Sequence, residues 1–204
     1  MRRAVVYVDG STVTDSTSAK EALGWGVVAS YDDGLHERFG GVHHVRRGPL
    51  TGCHEHVAFF EAVRYALDQG LALGAVTFLC DDAMFGYAQV ALHPGNFRTT
   101  QAQAVRERVK LVADRLYDNG LAERVLHVLE HGLVHKLKGH SLMVHQERAD
   151  YLAKWGARQR LANTESAESP MPFERWLSEG MRTYDESAQA VVPWTPPFVV
   201  PKAT

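Results

Sequence analysis

The chain has almost no cysteine: Cys53 and Cys80 are the two in 204 residues. That excludes a disulfide-stapled scaffold and any zinc site built on cysteine pairs. Cys80 ends the apolar run AVTFLC, so it reads as a buried thiol suited to a reducing cytoplasm. Neither sign of charge dominates: 22 Lys and Arg face 24 Asp and Glu, for a formal net charge of -2. The protein is therefore not a polycation, and a nucleic-acid partner would need a local basic patch. Long hydrophobic runs are missing too. The apolar stretch of MRRAVVYVDG stops at Asp9, too short for a signal core or a membrane span. Proline is sparse until the end, with six of the eight lying beyond residue 169.

What remains is a chain that is 45% apolar, enough for one core. Residues 4–8, 24–30 and 35–42 read as strands, the last two joined at Asp32-Asp33-Gly34. Val57, Ala58, Ala62, Val63, Ala66 and Leu67 fall at helical spacing over 57–69. Residues 75–80 read as a fourth strand, 82–92 and 100–118 as helices, 124–129 (RVLHVL) as a fifth strand, and 146–160 as a final helix. This order predicts an α/β domain over 1–162: a mixed five-stranded sheet, three strands antiparallel and two parallel, flanked by helices. The stretch 163–204 is polar, then Pro-rich. It reads as a tail with a short helix at FERWLSEGM, draped over the domain or offering Trp176, Trp194 and Phe198 to a protein partner or to the domain's own cleft.

Three aspartates stand at the ends of separate segments: Asp9 in AVVYVDGS, Asp81 in AVTFLCDD and Asp150 in HQERADYLAK. Each alone could be a turn, a helix cap or a surface residue. If the fold brings them together they repel one another, and a divalent cation resolves that repulsion. Hard oxygen ligands select Mg²⁺ or Mn²⁺. The eleven histidines include His54-Glu55-His56, but HExxH is absent, so zinc is not expected. Asp82 reads as a partner for the helix dipole.

YVDGS at 7–11, GWGVV at 24–28, FLCDD at 78–82 and KGHSLMVHQERAD at 138–150 resemble a type 1 ribonuclease H domain across residues 4 to about 160. The resemblance implies a two-metal hydrolase that cuts the RNA strand of an RNA/DNA hybrid. It implies Asp9, Asp81 and Asp150 as metal ligands and His140 as a loop histidine that assists proton transfer or product release. It also implies a fourth carboxylate at the start of the first helix. In AFFEAV that position falls on Phe59, while Glu61 matches a non-catalytic glutamate about 200° around the helix. Cleavage would then be weakened or altered, or the domain would bind nucleic acid without cutting.

A helix that begins before residue 57 would put Glu55 and His56 on the face of Phe59, where either could enter the metal site. Phe59 would stack on a base or ribose, or meet the tail. Ser11, Arg46, Arg47 and Lys138 complete the expected substrate contacts, with Arg46-Arg47-Gly48-Pro49 the best basic handle. Arg98, Arg106, Arg108 and Lys136 are further phosphate candidates. Trp25 reads as core.

Overall fold

The computed structural model describes residues 3–15, 20–93, 99–137, 143–162, 169–179, 183–185 and 190–192. Its principal sheet has five strands: β1 (Ala4–Thr14), β2 (Lys20–Tyr31), β3 (Gly34–Val45), β4 (Val76–Cys80) and β5 (Val134–Lys136). They lie in the order β3-β2-β1-β4-β5. The pairs β1–β2 and β2–β3 are antiparallel, while β1–β4 and β4–β5 are parallel. This is the mixed five-stranded sheet, three strands antiparallel and two parallel, that the sequence predicts. Around it pack α1 (His54–Asp68), α2 (Ala83–Leu92), α3 (Thr99–Leu116), α4 (Asn119–Glu130) and α5 (Val144–Leu161).

β2 explains the layering. Alternate side chains face opposite sides of a strand, and both sides of β2 are covered. Leu23, Val27 and Ala29 join the core under α1, with Phe59, Phe60, Val63 and Phe78. Val28 joins a second core under α5, with Tyr7, Ala149 and Leu152. Trp25 is buried, as expected, and so is the Cys80 thiol. Burial, with the charges of Glu55 and Asp81 adding, raises the Cys80 thiol pKa far above its usual range, so it is no nucleophile at neutral pH.

The sequence reading errs at residues 124–129. RVLHVL is not a strand but the second half of α4. Leu121, Ala122, Val125, Val128 and Leu129 form one buried helical stripe, and Asp118 caps the helix by accepting a hydrogen bond from the Leu121 amide at 2.7 Å. The fifth strand follows instead, three residues long, after Gly132 turns the chain at φ 65°. In so short an apolar run, helix and strand periodicities cannot be told apart. Asn119-Gly120 accordingly opens α4 and does not close α3.

The C-terminal stretch does form the expected short helix, α6 (Phe173–Ser178), and also a small hairpin of β6 (Thr183–Asp185) and β7 (Ala190–Val192) that the sequence did not announce. Trp176 is buried against Tyr151 of α5, which makes it an anchor to the chain's own domain and not to an outside partner. Trp194 and Phe198 lie outside the described residues.

Glycines let α5 approach the sheet. A Cβ on Gly26 would overlap the Ala149 carbonyl oxygen, and one on Gly24 would overlap that of Ala153. Both obstacles are backbone, which cannot swing aside. Gly26→Ala should therefore destabilise the fold by about 1–3 kcal/mol, the usual range for overpacking. Urea unfolding would check this, and an unchanged midpoint would contradict the close crossing.

Candidate active site

β1 places Asp9 opposite Gly26 of β2, on the face that α5 covers. α5 is pinned there by Gln146, whose side-chain amide donates to the Val8 carbonyl at 3.1 Å. Asp150, one turn further on, thereby comes near Asp9. The parallel pairing of β1 with β4 runs from Ala4↔Val76 to Tyr7↔Leu79. Continued by two residues, that register brings Asp81 level with Asp9.

The fourth carboxylate arrives from α1. The helix begins at His54, three residues earlier than its apolar periodicity suggests, and so carries Glu55 in its first turn. Gly10 permits the approach: a Cβ there would stand 2.5 Å from the His54 carbonyl carbon and 2.8 Å from the Glu55 nitrogen. The Gly10 amide hydrogen-bonds Asp9 Oδ1 at 3.0 Å and also the Glu55 carboxylate.

The electrostatics report the convergence. Asp9 and Glu55 are both buried, at 6% and 9% exposure. Burial is the main reason the Asp9 carboxyl is raised well above the usual carboxylate range, and the charges of Glu55, Asp150 and Asp81 push it further. Burial likewise raises Glu55, with Asp82, Asp81 and Asp150 adding and the Gly10 hydrogen bond opposing. Each group is costly to ionise partly because the others are near. Lys154 offsets part of this, 2.9 Å from Asp150. Among the described residues, no three His, Cys, Asp or Glu side chains already stand at the spacing of a metal shell.

Phe59 is not at the mouth of this cluster. It is 1% exposed, its ring 5.6 Å from that of Phe78 and 4.7 Å from that of Phe85. One helical turn beyond Glu55, it points into the core, because α1 presents a polar end and an apolar body. That corrects its assignment as a substrate contact. His56 is buried beside Phe85 and lines an apolar cavity. Burial, aided by Arg108 and His54, lowers its pKa to about 4, so it is neutral at pH 7. Glu61 bonds Tyr117 at 2.8 Å and Arg64 at 2.6 Å, away from the cluster.

Ser11 is buried on β1 opposite Gly24. Arg46 and Arg47 form an exposed turn before α1, with Arg47 at φ 62°. Arg106 pairs with Glu130 at 3.2 Å, Arg108 donates to Cys53 Sγ at 3.2 Å, and Lys136 is exposed on β5. Arg98, Lys138 and His140 lie outside the described residues.

No protein-family model matches the sequence, and neither does any curated protein. Solved structures do resemble it. Ribonuclease H1 from the halophilic archaeon Halobacterium salinarum NRC-1 is 18% identical, with a TM-score of 0.44, over 79% of this chain and 99% of that one. The N-terminal ribonuclease H domain of rv2228c from Mycobacterium tuberculosis is 13% identical, with a TM-score of 0.45, over 80% and 99%. The foamy viral protease-reverse transcriptase, in complex with double-stranded DNA, is 15% identical, with a TM-score of 0.44, over 80% and 96%. Likeness at this level speaks to neither activity nor substrate. Among the described residues, no helix is long and apolar enough to cross a membrane.

Proposed function

We propose that the chain is a divalent-cation-dependent endonuclease that hydrolyses the RNA strand of RNA/DNA hybrids. The observation that carries this reading is the convergence of carboxylates from four elements: Asp9 on β1, Glu55 where Gly10 lets α1 press on the strand, Asp81 in register past β4, and Asp150 on the α5 that Gln146 ties to Val8. Four carboxylates drawn toward one end of the sheet suit Mg²⁺ or Mn²⁺ in donor chemistry, though they would have to close further to form one shell. Asp9 would hold both ions, with Glu55, Asp81 and Asp150 completing them. When bound, such ions activate a water and stabilise the phosphate and leaving oxygens.

The chain's own residues do the rest. The Gly10 amide holds Asp9 and Glu55 as a pair, so the carboxylates at the strand end and helix start move as one unit. Lys154 keeps Asp150 directed along α5. Arg46 and Arg47, on an exposed turn ahead of α1, would meet the phosphate backbone. Glu55 supplies the helix-borne carboxylate, so this reading gives full and not weakened hydrolysis, with the RNA 2′-hydroxyl as the mark of substrate.

The test is cleavage of labelled hybrid, duplex RNA and single strands with Mg²⁺ and then Mn²⁺. Wild type should cut hybrid, and Glu55→Gln should lose at least about a hundredfold, beyond the 10–100-fold loss seen when only the outer surroundings of a metal ligand are disturbed. Phe59→Glu should restore or add nothing, because it forces a charge between Phe78 and Phe85. It should instead cost about 3 kcal/mol or more of stability. Tight binding of hybrid with no cleavage under either cation would overturn the enzyme reading and leave a nucleic-acid-binding module.

A further inference from the structure

A pocket of about 200 Å³ lies between α1, α2, α3 and α4, open to solvent where Ala104 and Arg108 of α3 are exposed. Its wall is almost wholly apolar: Phe59, Phe60, Phe85, Val109, Val125 and Leu129. An apolar cavity of about 150 Å³ already accepts a benzene molecule. This one therefore has room for a single ring with a small substituent.

Two polar side chains reach the lining, His56 and Arg108. His56 is 7% exposed, and its Nδ1 is buried with no hydrogen-bond partner. An orphaned nitrogen in an apolar wall is a cost that a packed core normally avoids. Arg108 donates to Cys53 Sγ at 3.2 Å, and a thiol is a weak acceptor for a guanidinium. A donor-rich polar end on an apolar chamber is the common plan of a small-molecule site.

We propose that this cavity binds a small organic acid: one ring or its aliphatic equivalent, carrying a carboxylate. The apolar body fills the space between Phe59, Phe85 and Val125. One carboxylate oxygen accepts from Arg108, and the other accepts from His56 Nδ1–H. The acceptor is an anion because a carboxylate forms charge-assisted bonds with a guanidinium that no neutral group matches. The nuclease reading does not predict this site and does not depend on it.

Benzoate is the probe and toluene its uncharged counterpart, each titrated into the full-length protein and followed by amide chemical shifts and calorimetry. Benzoate should bind saturably and shift the resonances of His56, Phe85 and Val125. Ala88→Leu and Val109→Leu grow side chains into the cavity from two different helices. Each should abolish binding while leaving the circular dichroism spectrum intact. Arg108→Gln, at the rim, should weaken benzoate roughly tenfold, the scale of one charge-assisted bond, and leave toluene unchanged. Absence of saturable binding by either probe would overturn the site. Toluene binding with no preference for benzoate would overturn the acid. Benzoate binding that survives both filling substitutions would place it elsewhere.

Discussion

Asp9→Asn is expected to abolish hybrid cleavage, by at least about a hundredfold, and at the same time to make the cation-free protein more stable at neutral pH. Both effects come from one cause. Asp9 is buried, and its carboxyl is raised well above the ordinary range by that burial and by Glu55, Asp150 and Asp81. A group whose folded-state pKa is raised binds its proton more tightly folded than unfolded. The stability it contributes is fully present below the unfolded value, near pH 4, and is lost as pH rises through the raised folded value. Glu55 adds to this in the same direction.

The cation-free wild type should therefore melt at progressively lower temperature from about pH 4 toward neutrality. Asn cannot ionise, so the variant should show a shallower decline. Added Mg²⁺ or Mn²⁺ binds the deprotonated carboxylates and should raise the wild-type melting temperature more at pH 8 than at pH 5. The variant should lose most of that gain. Calorimetry across this range with and without cation decides the matter. A cation effect that is equal in wild type and Asp9→Asn would separate Asp9 from any metal and remove the basis for its role in cleavage.

The aspartates could be read in the sequence because each sits beside a pattern that is visible locally: apolar strand then acid for Asp9 and Asp81, and a helical segment for Asp150. Glu55 was harder. Its helix begins before its own apolar periodicity does, so the first turn, His54-Glu55-His56, has the look of a polar loop. The signal that could have located it is Gly10, since a glycine directly after the first-strand aspartate lets a helix end press on the strand. Gly24 and Gly26 carry the same message for α5. They lie two residues apart and so share one face of β2, but which element comes close cannot be read until the strand is paired. The α4 misreading has a different origin. A strand of three residues, β5, leaves too short a pattern to compete with the apolar density of the helix before it.

The tail was the least legible part, because Trp176, buried among its described residues, is recognisable only through Arg148 on another element. Arg148 is 1% exposed, an expensive place for a guanidinium, and it is engaged through Nε and Nη2 while Nη1 is buried without a hydrogen bond. It makes two bonds to Glu37 of β3, at 2.7 and 2.8 Å, and donates to the Met171 carbonyl at 2.8 Å. The rings of Tyr151, Trp176 and Phe173 lie 5.0, 5.4 and 5.9 Å from it. Met171 donates its amide to the Tyr151 hydroxyl at 3.2 Å, so the entry to α6 is tied to α5 twice.

Trp176→Ala removes one wall of this box and opens the arginine to water. The expected loss is about 3–5 kcal/mol, the range for truncating a buried tryptophan. At roughly 2–4 °C per kcal/mol for a chain of this size, the melting temperature should fall by on the order of 10 °C. Arg148 precedes Asp150 by two residues on the same helix turn. Hybrid cleavage should therefore drop even at temperatures where circular dichroism shows the variant folded. Trp176→Phe, which keeps a ring over the guanidinium, should recover most of both losses. If Trp176→Ala left melting and cleavage unchanged, the tail would be an ornament on the domain and not the clamp that holds the Asp150 helix to β3.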